Sequence, residues 1–147
     1  MINTMLFGLY LTPLFNAIAQ VESQNGTTSK NIYQIQDVYL EDLGRIYTCH
    51  YSQSVKEDKF ASEAAMFDYW RFYAHQWARK NHTRAVTYEV LERIHNGGPD
   101  GMTKVETAYY WLKVKQLLVK ELRLNGLYNK MNPFINTSVI SERNWER

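Results

Sequence analysis

One carboxyl group and one glycine-rich turn carry the chemistry that this sequence offers. Glu22 closes an apolar stretch, Leu14-Phe15-Asn16-Ala17-Ile18-Ala19-Gln20-Val21-Glu22, and is followed by Ser23. Ile18, Val21 and Ile35 can dry its surroundings, and the C-terminal end of a helix disfavours negative charge. Both effects favour the protonated carboxyl. A glutamate that keeps its proton near neutral pH can act as general acid on a glycosidic oxygen. The other reading of the same residue is a solvated helix end, satisfied by Ser23 or Lys30. The second feature is His95-Asn96-Gly97-Gly98-Pro99. Gly97 and Gly98 permit positive φ and close approach of backbone to a ligand, with His95 and Asn96 as polar groups at the rim. Here too a plainer reading stands beside it, a helix stop followed by a proline turn.

The remaining reactive side chains point elsewhere. His50, His75, His82 and His95 lack the close spacing of a metal site, so no metal is expected. Cys49 is the only cysteine, which excludes an intrachain disulfide and a cysteine-based zinc site, and no matching base marks it as a nucleophile. Trp70, Trp77 and Trp111 read as core residues before sugar platforms. Lys113, Lys115, Lys120 and Arg123 read as a solvated helix face.

Taken in order, Glu22-Ser23, Tyr33-Gln34-Ile35, His95-Asn96-Gly97-Gly98-Pro99 and Tyr110-Trp111-Leu112-Lys113-Val114 resemble the lysozyme-like superfamily, in particular lytic transglycosylases and invertebrate-type lysozymes. The match spans residues 14–115, and its most specific part runs from Arg93 to Gly101 with the Tyr-Trp-x-Lys-Val segment after it. The resemblance implies that Glu22 is the catalytic acid and base in cleaving the β-1,4 bond between N-acetylmuramic acid and N-acetylglucosamine, so that peptidoglycan strands are the partner. It implies that Ser23 and Gln34 orient that acid or the substrate, and that Tyr33, Gln34, His95, Asn96 and Tyr110 shape the sugar groove. It also implies action in the bacterial cell wall or periplasm, in a phage lysis or virion-entry protein or a wall-remodelling enzyme. Invertebrate-type lysozymes carry many cysteines and an aspartate after the glutamate, whereas residues 23–32 here hold no acid. Retaining hydrolysis needs a second carboxylate about 5 Å from the first. A lytic transglycosylase needs one acid and no cofactor, which suits Glu22 better. The alternatives are a hydrolytic lysozyme that holds its water on Asp37, Glu41 or Asp42, a non-catalytic wall-binding protein on the same scaffold, and an unrelated helical interaction domain.

The elements that must position these residues read as helices. The chain has 147 residues, 45% of them hydrophobic, enough for one domain with its own core. Seventeen basic against fifteen acidic residues leave a formal charge of +2, too slight for nucleic-acid binding by charge and no barrier to an anionic polymer. Thr12-Pro13 predicts a helix start and Asn25-Gly26 its stop. Asp37 caps a short helix ended by Gly44. Ser62–Lys80 reads as a long helix, Thr83 caps the next, and Thr107 caps a last one ended by Asn125-Gly126. The expected fold is all-α or α-rich with little sheet: a lysozyme-like catalytic domain over 1–126 and a tail over 127–147 that packs through Phe134 or Trp145. Met5–Ala19 is apolar but shorter than the roughly 20 residues of a membrane span. It reads as a buried first helix, with an uncleaved export signal as the alternative, because Ala17-Ile18-Ala19 has the form of a cleavage site while residues 1–4 carry no positive charge.

Overall fold

The computed structural model describes residues 9–23, 30–83 and 85–137. Among these the chain is all-α, with no strand. The elements are α1 (Leu11–Glu22), α2 (Asp37–Tyr47), α3 (Lys59–Lys80), α4 (Tyr88–Gly97), α5 (Val105–Leu124) and the single turn α6 (Tyr128–Met131). Short 3-10 turns cover Gln53–Glu57, Gly101–Thr103 and Asn132–Phe134. None of these helices is long and apolar enough to cross a membrane. Met5–Gly8, Asn25-Gly26 and Trp145 lie outside the described residues.

The core forms where α1, α4 and α5 meet. Leu14 and Ile18 of α1 are fully buried, as are Val114, Leu118 and Leu122 of α5, and the α1–α5 pairing is the most extensive in the fold. The 3.6-residue stripe of α5 thus faces α1 as its spacing predicts. α4 is the central helix. Seven of its ten residues are buried, and they lie on every side of it. It packs on α3, on α5 and on the Gly101–Thr103 turn. α3 contributes Met66, Trp70 and Ala74, with Phe15 stacked on Trp70 at 5.4 Å between ring centroids.

Several boundaries differ from the sequence reading, each for a visible reason. α1 starts at Leu11, with Thr12 inside it and Pro13 in the first turn, where a missing N–H costs nothing. α2 runs through Gly44 and ends at Thr48, which takes the left-handed conformation at φ 51. Gly44 is a close-packing residue, not a stop: a Cβ there would lie 2.8 Å from the Cys49 carbonyl oxygen. α3 begins at Lys59, capped by Asp58, whose carboxylate accepts the Ala61 N–H at 2.8 Å. Thr87, not Thr83, caps α4, and Thr83 closes a local turn with Ala85 instead. Thr107 lies within the first turn of α5, where its hydroxyl accepts from Arg93 Nε at 3.0 Å. Residues 127–137 pack on the core as part of the fold. Met131 and Ile135 are buried with Phe134 beside them, and the Ile135 carbonyl accepts the Glu89 N–H at 3.2 Å.

Candidate functional site

Glu22 is the last residue of α1, followed by Ser23, whose N–H and hydroxyl both turn back to the Ala19 carbonyl. The Glu22 side chain is half-buried, and that burial raises its carboxyl above the ordinary 4.5. The Tyr110 hydroxyl of α5 opposes the shift. Tyr110 lies close enough to act on Glu22, yet its buried hydroxyl makes no hydrogen bond of ordinary geometry. Lys30 does not reach Glu22; it is exposed and lies 3.8 Å from Glu57. The dried-acid reading of Glu22 therefore fits the surroundings better than the solvated helix end.

A second carboxyl, absent from the sequence reading, stands beside this pair. Glu92 of α4 is 0% exposed, and neither of its oxygens has a hydrogen-bond partner. Burial first, and then the charge of Glu22, push its carboxyl up to about 9, so it holds a proton at neutral pH. The adjacent Arg93 does little to neutralise it, because its guanidinium is committed. It pairs with Glu89 at 3.0 Å and donates to the Met102 and Lys104 carbonyls, each at 3.0 Å. Glu92 is hidden in the sequence because the apolar positions of this helix, Ala85 or Val86, Val90, Leu91 and Ile94, read as a single stripe with the acid outside it. The usable signal was that Tyr88, Val90, Leu91 and Ile94 cover most of the helix circumference, which leaves an acid among them no solvent to face.

A buried acid whose folded ionisation is raised destabilises the fold as pH rises. Between the ordinary 4.5 and about 9 the folded chain binds more protons than the unfolded one, so stability is full below 4.5 and falls through this window. Glu92→Gln should therefore be more stable than wild type at pH 7 by about 3 kcal/mol and nearly level with it at pH 4.5. Urea unfolding at pH 4.5, 7 and 9 checks this. A constant difference between the two proteins across that range would contradict it.

The other expected site residues divide between core and surface. Tyr33 is fully buried against Phe15, and its hydroxyl donates to Glu63 Oε1 at 2.5 Å. Its ring is a core element, not a groove wall. His95 is largely buried and contributes to the wall of the cleft at the glycine bend. Its Nε2 lies 3.0 Å from the Tyr33 carbonyl oxygen, and its Nδ1 lies 3.4 Å from the Tyr39 hydroxyl. Burial pulls its ionisation down to about 4, so the ring is neutral at pH 7. A carbonyl can only accept, which puts the ring proton on Nε2 and leaves Nδ1 to accept from Tyr39. His95 thereby ties the Tyr33 segment to α4. Gln34 sits at φ 53, half-buried, and donates to the Asn31 carbonyl at 3.1 Å.

Asn96 is exposed and lines a cleft of about 480 Å³ with Gln36, Asp42, Arg45, Tyr73, Gly97 and Gly98. A second cleft of about 550 Å³, with Trp77, Lys80 and Arg93 on its walls, shares Tyr73 and Pro99 with the first. Glu22 lines neither of these two clefts. The bend and the acid are nonetheless joined through α5. A Cβ on Gly97 would lie 2.5 Å from the Thr107 methyl, and Tyr110, which faces Glu22, follows one turn later. The structure thus brings together Glu22, Tyr110 and Glu92, sets Asn96, His95 and the glycine bend along one cleft, and puts Tyr33 in the scaffold beneath. Of the acids after Gln34, Asp37 pairs with Lys56 on the surface, Glu41 is exposed, and Asp42 accepts from Tyr73 and from Arg45 at 2.8 Å.

Comparison with protein-family models, with characterised proteins and with solved structures found no match.

Proposed function

We propose that the protein cleaves the β-1,4 bond between N-acetylmuramic acid and N-acetylglucosamine in peptidoglycan by a one-acid, lytic-transglycosylase route. The observation that supports this reading best is the state of Glu22, a half-buried carboxyl at a helix C-terminus with its ionisation raised by burial. Its protonated form gives its proton to the glycosidic oxygen as the bond to C1 breaks. The resulting carboxylate takes the proton of the C6 hydroxyl of the same muramic acid, and that oxygen closes on C1 as a 1,6-anhydro ring. Among the described residues no ready second acid serves the hydrolytic alternative at this spot, since Glu92 is sealed from solvent and neutral at pH 7. Asn96 and the Gly97-Gly98 bend, which packs on α5 one turn before Tyr110, supply polar surface for a glycan strand. The site of action on this reading is the bacterial wall or periplasm.

Digestion of purified peptidoglycan with mass analysis of the products tests the proposal. Muropeptides lighter by one water than hydrolysis products are expected. Products of full mass would replace the one-acid route by a hydrolase and direct attention to Asp42. No solubilisation by the folded protein would end the proposal.

A further inference from the structure

Two buried polar groups beside Glu22 have no task in the one-acid scheme. They are the Glu92 carboxyl of α4, whose oxygens have no hydrogen-bond partner, and the Tyr110 hydroxyl of α5, which acts on Glu22 without a hydrogen bond of ordinary geometry. The charged groups around Glu92 do not supply one. On α4 itself, Arg93 is spent on Glu89 and on the carbonyls of Met102 and Lys104, while Glu89 also accepts the Thr137 N–H at 2.7 Å. From α5 comes Tyr110, on which Glu92 acts in turn. From α1 comes the charge of Glu22. A carboxyl sealed among these groups without a cation keeps its proton, and so presents an O–H donor with nothing to donate to. Such a group costs stability, and stability given up beside a reactive acid is typical of working sites.

We propose that Glu92 is a positioning residue for Glu22: its carboxyl O–H, together with the Tyr110 O–H, is held in readiness as a donor to the Glu22 carboxylate that forms when Glu22 gives up its proton. While Glu22 is protonated it is a weak acceptor, and the two donors gain little from it. Once Glu22 is negative it is a strong acceptor in a place with little water. Stabilisation that appears only with the charge lowers the barrier to proton transfer and does not tighten the resting state. This inference rests on the reading of Glu22 as a proton donor to substrate, but its main test does not.

Glutamate carboxyl carbons labelled with ¹³C report each titration directly, and Glu22→Gln assigns the Glu22 signal. In Glu92→Leu the Glu22 midpoint should move to higher pH by about one unit, because a carboxylate that loses a donor is harder to form. Glu92→Gln keeps an uncharged donor and should leave the midpoint within about 0.3 units of wild type. Glu92→Met, whose side chain matches glutamate in length, repeats the measurement should the leucine variant fold poorly. An unmoved midpoint in Glu92→Leu and Glu92→Met, or an equal shift in Glu92→Gln, overturns the proposal. In peptidoglycan lysis the alkaline limb of the pH profile should follow the same shift. A titration shift without any lysis by wild type keeps the positioning role and removes the enzymatic reading. Lysis with no titration shift does the reverse.

Discussion

Glu22→Gln should lower the rate of peptidoglycan solubilisation by about 10³-fold or more, since one group serves as acid and then as base and either role alone is worth about 10²–10⁴. The amide has the shape of the acid but no proton to give. The fold should not suffer. Glu22 ionises above the ordinary 4.5 in the folded chain, so its contribution to stability is full below that value and declines as pH rises through the raised one. Removing the ionisation leaves the variant at least as stable as wild type at pH 7. The loss of rate is therefore chemical and not structural, and equal unfolding midpoints with unequal rates would show it. For wild type, the rate should fall as pH rises through the raised Glu22 ionisation. Asp37→Asn serves as the control, because Asp37 is fully exposed and its carboxylate is held by Lys56, away from this chemistry. A Glu22→Gln protein that clears peptidoglycan at the wild-type rate would leave a binding or structural role for the scaffold.

How far the sequence reached into this site depends on what each residue faces. Helical periodicity located every major helix, because α1, α3 and α5 each present a stripe to one core. The same method failed on the caps. Thr83, Thr87 and Thr107 look alike in sequence, and only their partners in the fold separate them: Thr87 caps α4 at the Val90 N–H, while Thr107 bonds Arg93 and the Gly101 carbonyl. Gly44 reads as a stop until the Cys49 carbonyl is seen against it. At the site, Glu22 is legible as a carboxyl that closes an apolar helix, whereas Tyr110 enters only through the resemblance. Tyr33 and His95 were legible as important but not as buried, since an aromatic ring serves equally well in a groove or in a core. Glu92 was hidden, because a charged residue in a helix is read as its solvated face and α4 has little solvated face. The segment after Gly126 lacked a pattern because its order comes from long-range bonds, such as Trp111 Nε1 donating to Asn136 at 3.2 Å.

The bend that carries Asn96 depends on one more close approach, and it sets the second large effect. Gly101→Ala should destabilise the protein by about 4 kcal/mol or more. A Cβ at Gly101 would lie 1.8 Å from the Arg93 carbonyl oxygen and 2.5 Å from its carbon. Both are backbone atoms of α4, so no side chain can swing aside to relieve the clash. The turn would have to lift from the helix. With it would go the Arg93 bonds to Met102 and Lys104, and the bond from the Thr107 hydroxyl to the Gly101 carbonyl. Gly126→Ala calibrates the measurement. Gly126 has φ 68 but nothing within 4 Å of its missing Cβ, so it carries only the cost of a left-handed alanine, about 1–2 kcal/mol. Thermal unfolding of the two variants should differ by many degrees, with Gly101→Ala the lower. Similar midpoints would mean that α4 and the turn are not packed backbone to backbone. The same turn sets where α5 begins and hence where Tyr110 stands against Glu22. Any Gly101→Ala protein that still folds should therefore show a displaced Glu22 titration.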